Sequence, residues 1–481
     1  MKNKPLSLVA ALLGLTLIAT ACDDDDDGMG PDQLPEGTVA LRVVHASPDA
    51  PAVDVYAEGL ENPLFSDVAY GQVTDYLMVA EGTYNIQLRG AGALSSSDPV
   101  FETGDLTVSD GDVITAIATG FLSSMDAADE FRVLPLFEEF ADAGSSARVR
   151  IVHASPDAPT VAIDVANDGT PEIAALARFE DTGAAGVELP ASSSLQIGVW
   201  AGSPLARVTA FTTPALPAGG ELFVIAIGSL QSLPREETGF SLLAVAGSGA
   251  IGRIGQNPVV YALHGSPDAP AVDIFAGDLE LVDNLSFAEV SSSIQVPPGS
   301  YTLDFFGTTA GSTRPGGSPA ASADTPRLEA GQRYLAVATG FLSPEMGEEP
   351  FRLAAFRDDL ELATSMSRVS AIHASPDAPA VDIGTVDGGG MIDQVVFDNL
   401  AYPDGQPETG ADVPAAALTL GVAATGNMNP VATFNVVTAA GLRAFAVAVG
   451  ALTPAADEES FRLVVVNATE SPWTATPINP N

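Results

Sequence analysis

The four histidines of this 481-residue chain all stand in one repeated phrase. It reads His45-Ala46-Ser47-Pro48-Asp49-Ala50-Pro51 and returns at 153–159, 264–270 and 373–379, with Gly265 replacing alanine in the third copy. The histidines are 108, 111 and 109 residues apart. An imidazole, a hydroxyl and a carboxylate this close are the groups of a hydrolytic site, where base, nucleophile and orienting acid form a hydrogen-bonded chain. They could equally hold a divalent cation. A third use is mechanical: an imidazole at a core edge needs polar partners, and a corner latch tying turn backbone and carboxylate together supplies them. The residues in question are His45, Ser47, Asp49 and Asp54, then His153, Ser155, Asp157 and Asp164, then His264, Ser266, Asp268 and Asp273, and finally His373, Ser375, Asp377 and Asp382.

The flanking residues predict how these groups are carried. Each phrase follows a short apolar run, such as Leu41-Arg42-Val43-Val44 or Val149-Arg150-Ile151-Val152, whose alternation reads as a strand. By parity His45 shares a face with Leu41 and Val43, while Arg42 lies opposite, as do Arg148 and Arg150 in the second copy. The imidazole therefore points to the core side. Two prolines end the strand, and a second follows as Ala52-Val53-Asp54-Val55-Tyr56. The second copy places its aspartate later, at Asp164, which reads as a two-residue insertion that preserves the faces. The latch is the favoured reading. Four near-identical catalytic centres in one chain would be unusual, and no G-x-S-x-G, S-x-x-K or H-E-x-x-H signature occurs. One histidine per repeat and no thiol beside it do not make a zinc site. No catalytic residue, cofactor or metal is assigned.

The remaining repeats define the modules. Ala118-Thr119-Gly120-Phe121-Leu122-Ser123 has relatives at 226–230, 338–343 and 448–453, and a closing strand returns as Phe131-Arg132-Val133-Leu134, at 240–243, at 351–353 and at 461–464. No helical period is sustained. About seven short strands in about 110 residues predict an all-β fold of four tandem immunoglobulin-like β-sandwich modules. Seams of small residues place them at 38–144, 145–250, 251–364 and 365–481, the last with a C-terminal tail. Each is long enough to bury its own core, so the expectation is beads on a string, with linkers so short that neighbouring modules touch and the array is semi-rigid.

Residues 1–21 carry Lys2 and Lys4 before an apolar run from Leu6 to Ala21, too short for an ordinary membrane span. The ending Ile18-Ala19-Thr20-Ala21-Cys22 resembles a bacterial lipoprotein signal peptide with its lipid-modified cysteine, and Cys22 is the sole cysteine of the chain. Residues 22–37 open with five aspartates and read as an acidic, disordered tether. An acidic run at this place resembles surface-export signals of some Gram-negative lipoproteins, or inner-membrane retention signals of enteric ones. Beyond residue 21 there is no lysine, and 17 arginines face 62 carboxylates. That excludes nucleic acid as a partner, because phosphates need a basic footprint.

The run Arg42 to Tyr56, with the later Tyr70-Gly71-Gln72-Val73-Thr74-Asp75-Tyr76 and Ala118-Thr119-Gly120 phrases, resembles the bacterial family called domain of unknown function 4397. The resemblance covers residues 38–467 as four tandem copies behind the signal peptide. It implies an exported β-rich envelope module and no particular activity. The expectation is a lipid-anchored cell-envelope protein, at the outer-membrane surface or another envelope face. It serves as a binding or structural module array and is not an enzyme. Its partners are the membrane, through the lipid on Cys22, and an envelope polymer or protein. The alternative is an envelope hydrolase or divalent-cation-binding protein using the His-x-Ser-Pro-Asp motif.

Overall fold

A computed structural model describes residues 34–481 apart from Ala310 and Ala363. The expected signal peptide, Cys22 and most of the acidic tether lie outside the described residues. The described chain is all-β, without a helix, and forms four two-layered β-sandwiches. In the first, the strands are β1 (Thr38–His45), β2 (Val53–Ala57), β3 (Phe65–Val68), β4 (Leu77–Ala80), β5 (Gly82–Gly90), β6 (Phe101–Val108), β7 (Val113–Thr119) and β8 (Arg132–Phe137). One sheet runs β4-β1-β7-β8 and the other β3-β2-β5-β6. All pairings within them are antiparallel except β1 with β7, which run parallel with His45 opposite Ala118. The proline-broken phrase is thus the corner that carries the chain from one sheet to the other.

The count is eight strands in the first and third sandwiches, not seven. The second and fourth add a ninth, Gly249–Ile254 and Thr474–Ile478, on the outer edge of the closing strand. The opening strand β1 has its counterparts in Ala147–His153, Val259–His264 and Ser367–Ala374, and β7 in Glu221–Ile227, Arg333–Thr339 and Arg443–Val449.

The beads are fused in pairs. The chain divides into two compact units, 1–256 and 257–481, and each contains two sandwiches. The reason lies in the opening strand, which is buried on both faces. Val39 and Val43 face their own core, whereas Val44 and Ala46 join Ile117 and Leu136 in a cluster shared with Val152, Phe223 and Ile225 of the second sandwich. The second unit repeats this: Tyr261, Leu335 and Val337 of the third sandwich pack with Phe445, Val447 and Trp473 of the fourth. Trp473 stacks on Tyr261 at 4.3 Å. Its indole also leans on Phe445, at 5.7 Å.

The polar face assigned by parity to Arg42 is therefore not solvent. Arg42 is 1% exposed. Its Nε donates to Thr115 Oγ1 at 2.7 Å, and its guanidinium also bonds Glu138 and the Ala246 carbonyl of the second sandwich. Arg150 answers from the other side, holding Asp181 at 2.8 and 3.0 Å and the Phe137 carbonyl at 2.7 Å. The Phe223 ring is near both guanidiniums, 5.9 and 5.8 Å from them. In the second unit Asp358 takes this bridging place, bound by Arg333 and Arg443. A buried charge is tolerable only when paired and hydrogen-bonded, and all of these are.

Because Phe223 serves both sandwiches, Phe223→Ala should cost about 3–5 kcal/mol. Amide exchange should accelerate together in β7 and in its counterpart Glu221–Ile227. Acceleration in the second sandwich alone would show that the two cores are energetically separate.

Candidate functional site

Among the described residues the repeated phrase recurs in every sandwich, and its histidine and serine make the same backbone bonds in all four. The opening strand delivers the histidine to the core edge, where it is no more than 2% exposed. His45 Nε2 meets the Pro51 carbonyl at 3.1 Å, and His153, His264 and His373 meet Pro159, Pro270 and Pro379 at 3.0 Å. A carbonyl only accepts, so each Nε2 carries the proton and donates it. Nδ1 of the first three finds no hydrogen-bond partner among the described residues, and that of His373 accepts from the Ser375 amide at 3.3 Å. An aromatic ring closes over three of the imidazoles edge-on: Tyr70, Phe287 and Tyr402, at 6.2, 6.0 and 6.0 Å. Burial lowers the pKa of all four, against the opposing effect of the proline carbonyl.

The serine and first aspartate reach elsewhere. Ser47, Ser155, Ser266 and Ser375 are fully buried and donate to the carbonyls of Gly120, Gly228, Gly340 and Gly450 at 2.6–2.7 Å. Asp49 accepts from the amides of Leu122 and Ser123 and from the Ser123 hydroxyl, at 2.7, 2.9 and 2.6 Å. Asp268 and Asp377 likewise accept from two successive amides, Leu342-Ser343 and Leu452-Thr453, whereas Asp157 accepts from the Leu230 amide alone and from the hydroxyl of the preceding Ser229. Burial pushes the Asp49 carboxyl up, but these bonds win and hold it below its usual range. The carboxylates are thus not tied to the imidazole, as the latch reading expected. They clamp the corner to the loop that follows β7 and its counterparts. That loop was visible in the sequence as the repeated Gly-Phe-Leu-Ser phrase, but nothing there linked it to the histidine phrase. Its glycine has a structural reason: Gly120 has φ +89°, and a Cβ there would collide with the Glu130 carbonyl.

The second aspartate binds the other sheet. Asp54 accepts from the amides of Asp67 and Gly92 at 2.8 and 2.9 Å. Asp273 binds Asn284 and Thr309, and Asp382 binds Asn399 and Gly426, all at 2.8–2.9 Å. Asp67, Asn284 and Asn399 have φ of 54°, 52° and 50°, a left-handed conformation that side chains disfavour and the buried carboxylate holds. The second sandwich departs from this. Val161 stands as far from its histidine as Val53 does, so there is no insertion. Register puts Ala162 where Asp54 stands, with Ile163 opposite Val199 as Val55 is opposite Leu88. Asp164 instead caps its own turn, accepting from Asp168 and Gly169 at 3.1 and 2.7 Å.

Chemically, the arrangement is not a catalytic chain. The serine hydroxyl and the imidazole Nε2 each donate to a backbone carbonyl, and the carboxylates accept from loop groups. One group of carboxylates lies apart: Asp273, Glu280 and Asp283 bring oxygens within 4.8 Å of one another. Both Asp273 oxygens already hold amides, so this cluster is tied into the fold of the third sandwich.

Two outcomes follow for the imidazoles. His45→Ala should destabilise the first unit by about 1–3 kcal/mol, because it strands the Pro51 carbonyl and opens a void. The folded state binds protons less readily than the unfolded chain, whose histidines titrate near pH 6.5. Stability should be full above that pH and fall as the solution is acidified below it. In urea melts at pH 8 and pH 5.5, His45→Gln should show a smaller acid-induced loss than the parent. Equal losses would mean that this imidazole is not held neutral.

No curated protein matches the chain. A family profile does, over residues 39–164 and 258–384. Each match starts in the opening strand of one sandwich or just ahead of it and runs through the histidine phrase and into the second strand of the next. With matches over more than half of its length, the chain belongs to the family described as Domain of unknown function (DUF4397).

Proposed function

We propose that this chain is an exported, lipid-anchored protein of a bacterial cell envelope, that all four sandwiches are tandem copies of the family's domain, and that they serve as a binding or structural surface array. The observation that carries the anchoring is Cys22, the sole cysteine, directly after a short apolar run and directly before five aspartates. No helix among the described residues is long and apolar enough to cross a membrane, so a lipid would be the attachment in this reading. The tandem-copy reading is supported by the phrase itself, whose histidine and serine make the same backbone bonds in each sandwich. A structural use of the motif is supported by the same bonds, which leave no hydroxyl or imidazole donor free for a substrate. The membrane would be reached through the lipid, and the array would meet an envelope polymer or protein.

Radiolabelled palmitate should enter the parent protein in a bacterial host and fail to enter Cys22→Ser. Equal labelling of the two would sink the anchored reading.

A further inference from the structure

The four sandwiches share a fold and differ in how well they are filled. Between the sheets of the first lies a cavity of about 240 Å³. The corresponding spaces in the second, third and fourth are about 60, 40 and 50 Å³. An engineered protein cavity of ~150 Å³ lined by apolar side chains already stays dry and takes up benzene.

Two positions fixed by register account for part of the difference. On the closing strand, the residue opposite Ala118 is Val133. Opposite the counterparts Ala226, Ala338 and Ala448 stand Leu242, Leu353 and Leu463. On β2, Val55 occupies the place held by Ile163, Ile274 and Ile383. The first sandwich alone lacks a carbon at both positions, and both side chains line its cavity. The rest comes from an open flank. Pro135 and Phe137 on β8 and Asp105 and Thr107 on β6 line the cavity and are exposed, so the space reaches the surface between these two edge strands.

We propose that the first sandwich is a binding site for an uncharged aliphatic chain, such as a long-chain alcohol or a neutral single-chain lipid. The chain enters between β6 and β8 and lies against Leu41, Val43, Ile86 and Ile114. The interior presents almost nothing but hydrocarbon, which suits an alkyl chain and offers no partner to a buried polar group. At the mouth the Thr107 hydroxyl, paired with that of Thr83 at 3.0 Å, keeps a lone pair to accept from an alcohol end. Asp105 at that mouth, on a chain of net charge −43, repels a carboxylate or phosphate head. A void of this size lowers stability, and the three sibling sandwiches show that the fold accepts the larger side chains that would shrink it. The site does not depend on whether Cys22 carries a lipid.

The test uses the full chain with Cys22→Ser, so that no attached acyl chain competes, and the neutral fluorophore N-phenyl-1-naphthylamine. Its fluorescence should rise saturably with one site per chain. At pH 8, 1-decanol should displace it at least tenfold more effectively than decanoate. Val133→Leu combined with Val55→Ile, both residues taken from the siblings, should weaken probe binding tenfold or more without lowering the thermal midpoint. If the double variant melts lower, each single variant should still weaken binding at an unchanged midpoint. Absence of saturable binding, or undiminished binding in folded variants, would overturn the site. Equal displacement by decanoate would overturn the uncharged end.

Discussion

Everything else in each sandwich depends on one strand pair, the parallel alignment of β1 with β7 and of their counterparts. A strand buried on both faces must present apolar residues at every position or satisfy each polar one. Here one face closes the sandwich and the other closes the pair of sandwiches. Val39 and Val43 do the first, and Val44, Ala46 and Ile117 do the second. A slip of one residue would exchange the two faces, so register is doubly specified.

The histidine phrase sits where that pair ends, and its bonds follow from the topology. Parallel strands cannot be joined by a tight turn, so both chain ends leave the sheet side by side and need fastening. Ser47 and Asp49 fasten the exit of β1 to the exit of β7, and His45 fastens the turn to itself through the Pro51 carbonyl. The same junction carries the asymmetry within each pair. Thr119 and Thr339 donate across the interface to the carbonyls of Ala154 and Ala374. Their counterparts in the second and fourth sandwiches are Ile227 and Val449, which join the shared apolar clusters. One member of each pair bonds and the other packs. Two identical faces would leave either two hydroxyls to satisfy or none to set the fit.

Much of this was legible in the sequence, and the failures have identifiable causes. Strand alternation, the repeat spacing and the seams are local properties, and they gave the sandwich fold and the inward histidine. The parity rule placed Arg42 and Val44 correctly on the face opposite the core. It left open what covers that face, because periodicity within one strand says nothing of what a second module brings against it. Ile117, Phe223, Val337 and Phe445, apolar on the face of the seventh strand opposite the core, are the sequence signal for a buried interface. The clamp between Asp49 and Leu122-Ser123 joins residues 73 and 74 apart, a distance over which repetition shows that both phrases matter but not that they touch. Asp164 was misread for the opposite reason: similarity of letters suggested an insertion where register kept Ala162 in the place of Asp54.

The pairing also decides what the outer surface can attract. Arginines are the scarce charge of this chain, and several are withdrawn into the contacts within pairs: Arg42 and Arg150 in the first unit, Arg333 and Arg443 in the second. Their partners Glu138, Asp181 and Asp358 are few beside the acids that stay outside. The solvent-facing surface is therefore dominated by carboxylates, with little positive charge left to offset them. Such a surface repels polyanions at distances beyond contact, and salt confines that repulsion to about 8–10 Å. Under the proposed binding role, recognition would work through neutral or cationic groups, or through apolar interior where the acids do not reach. The hollow first sandwich is a described place where the second of these is open.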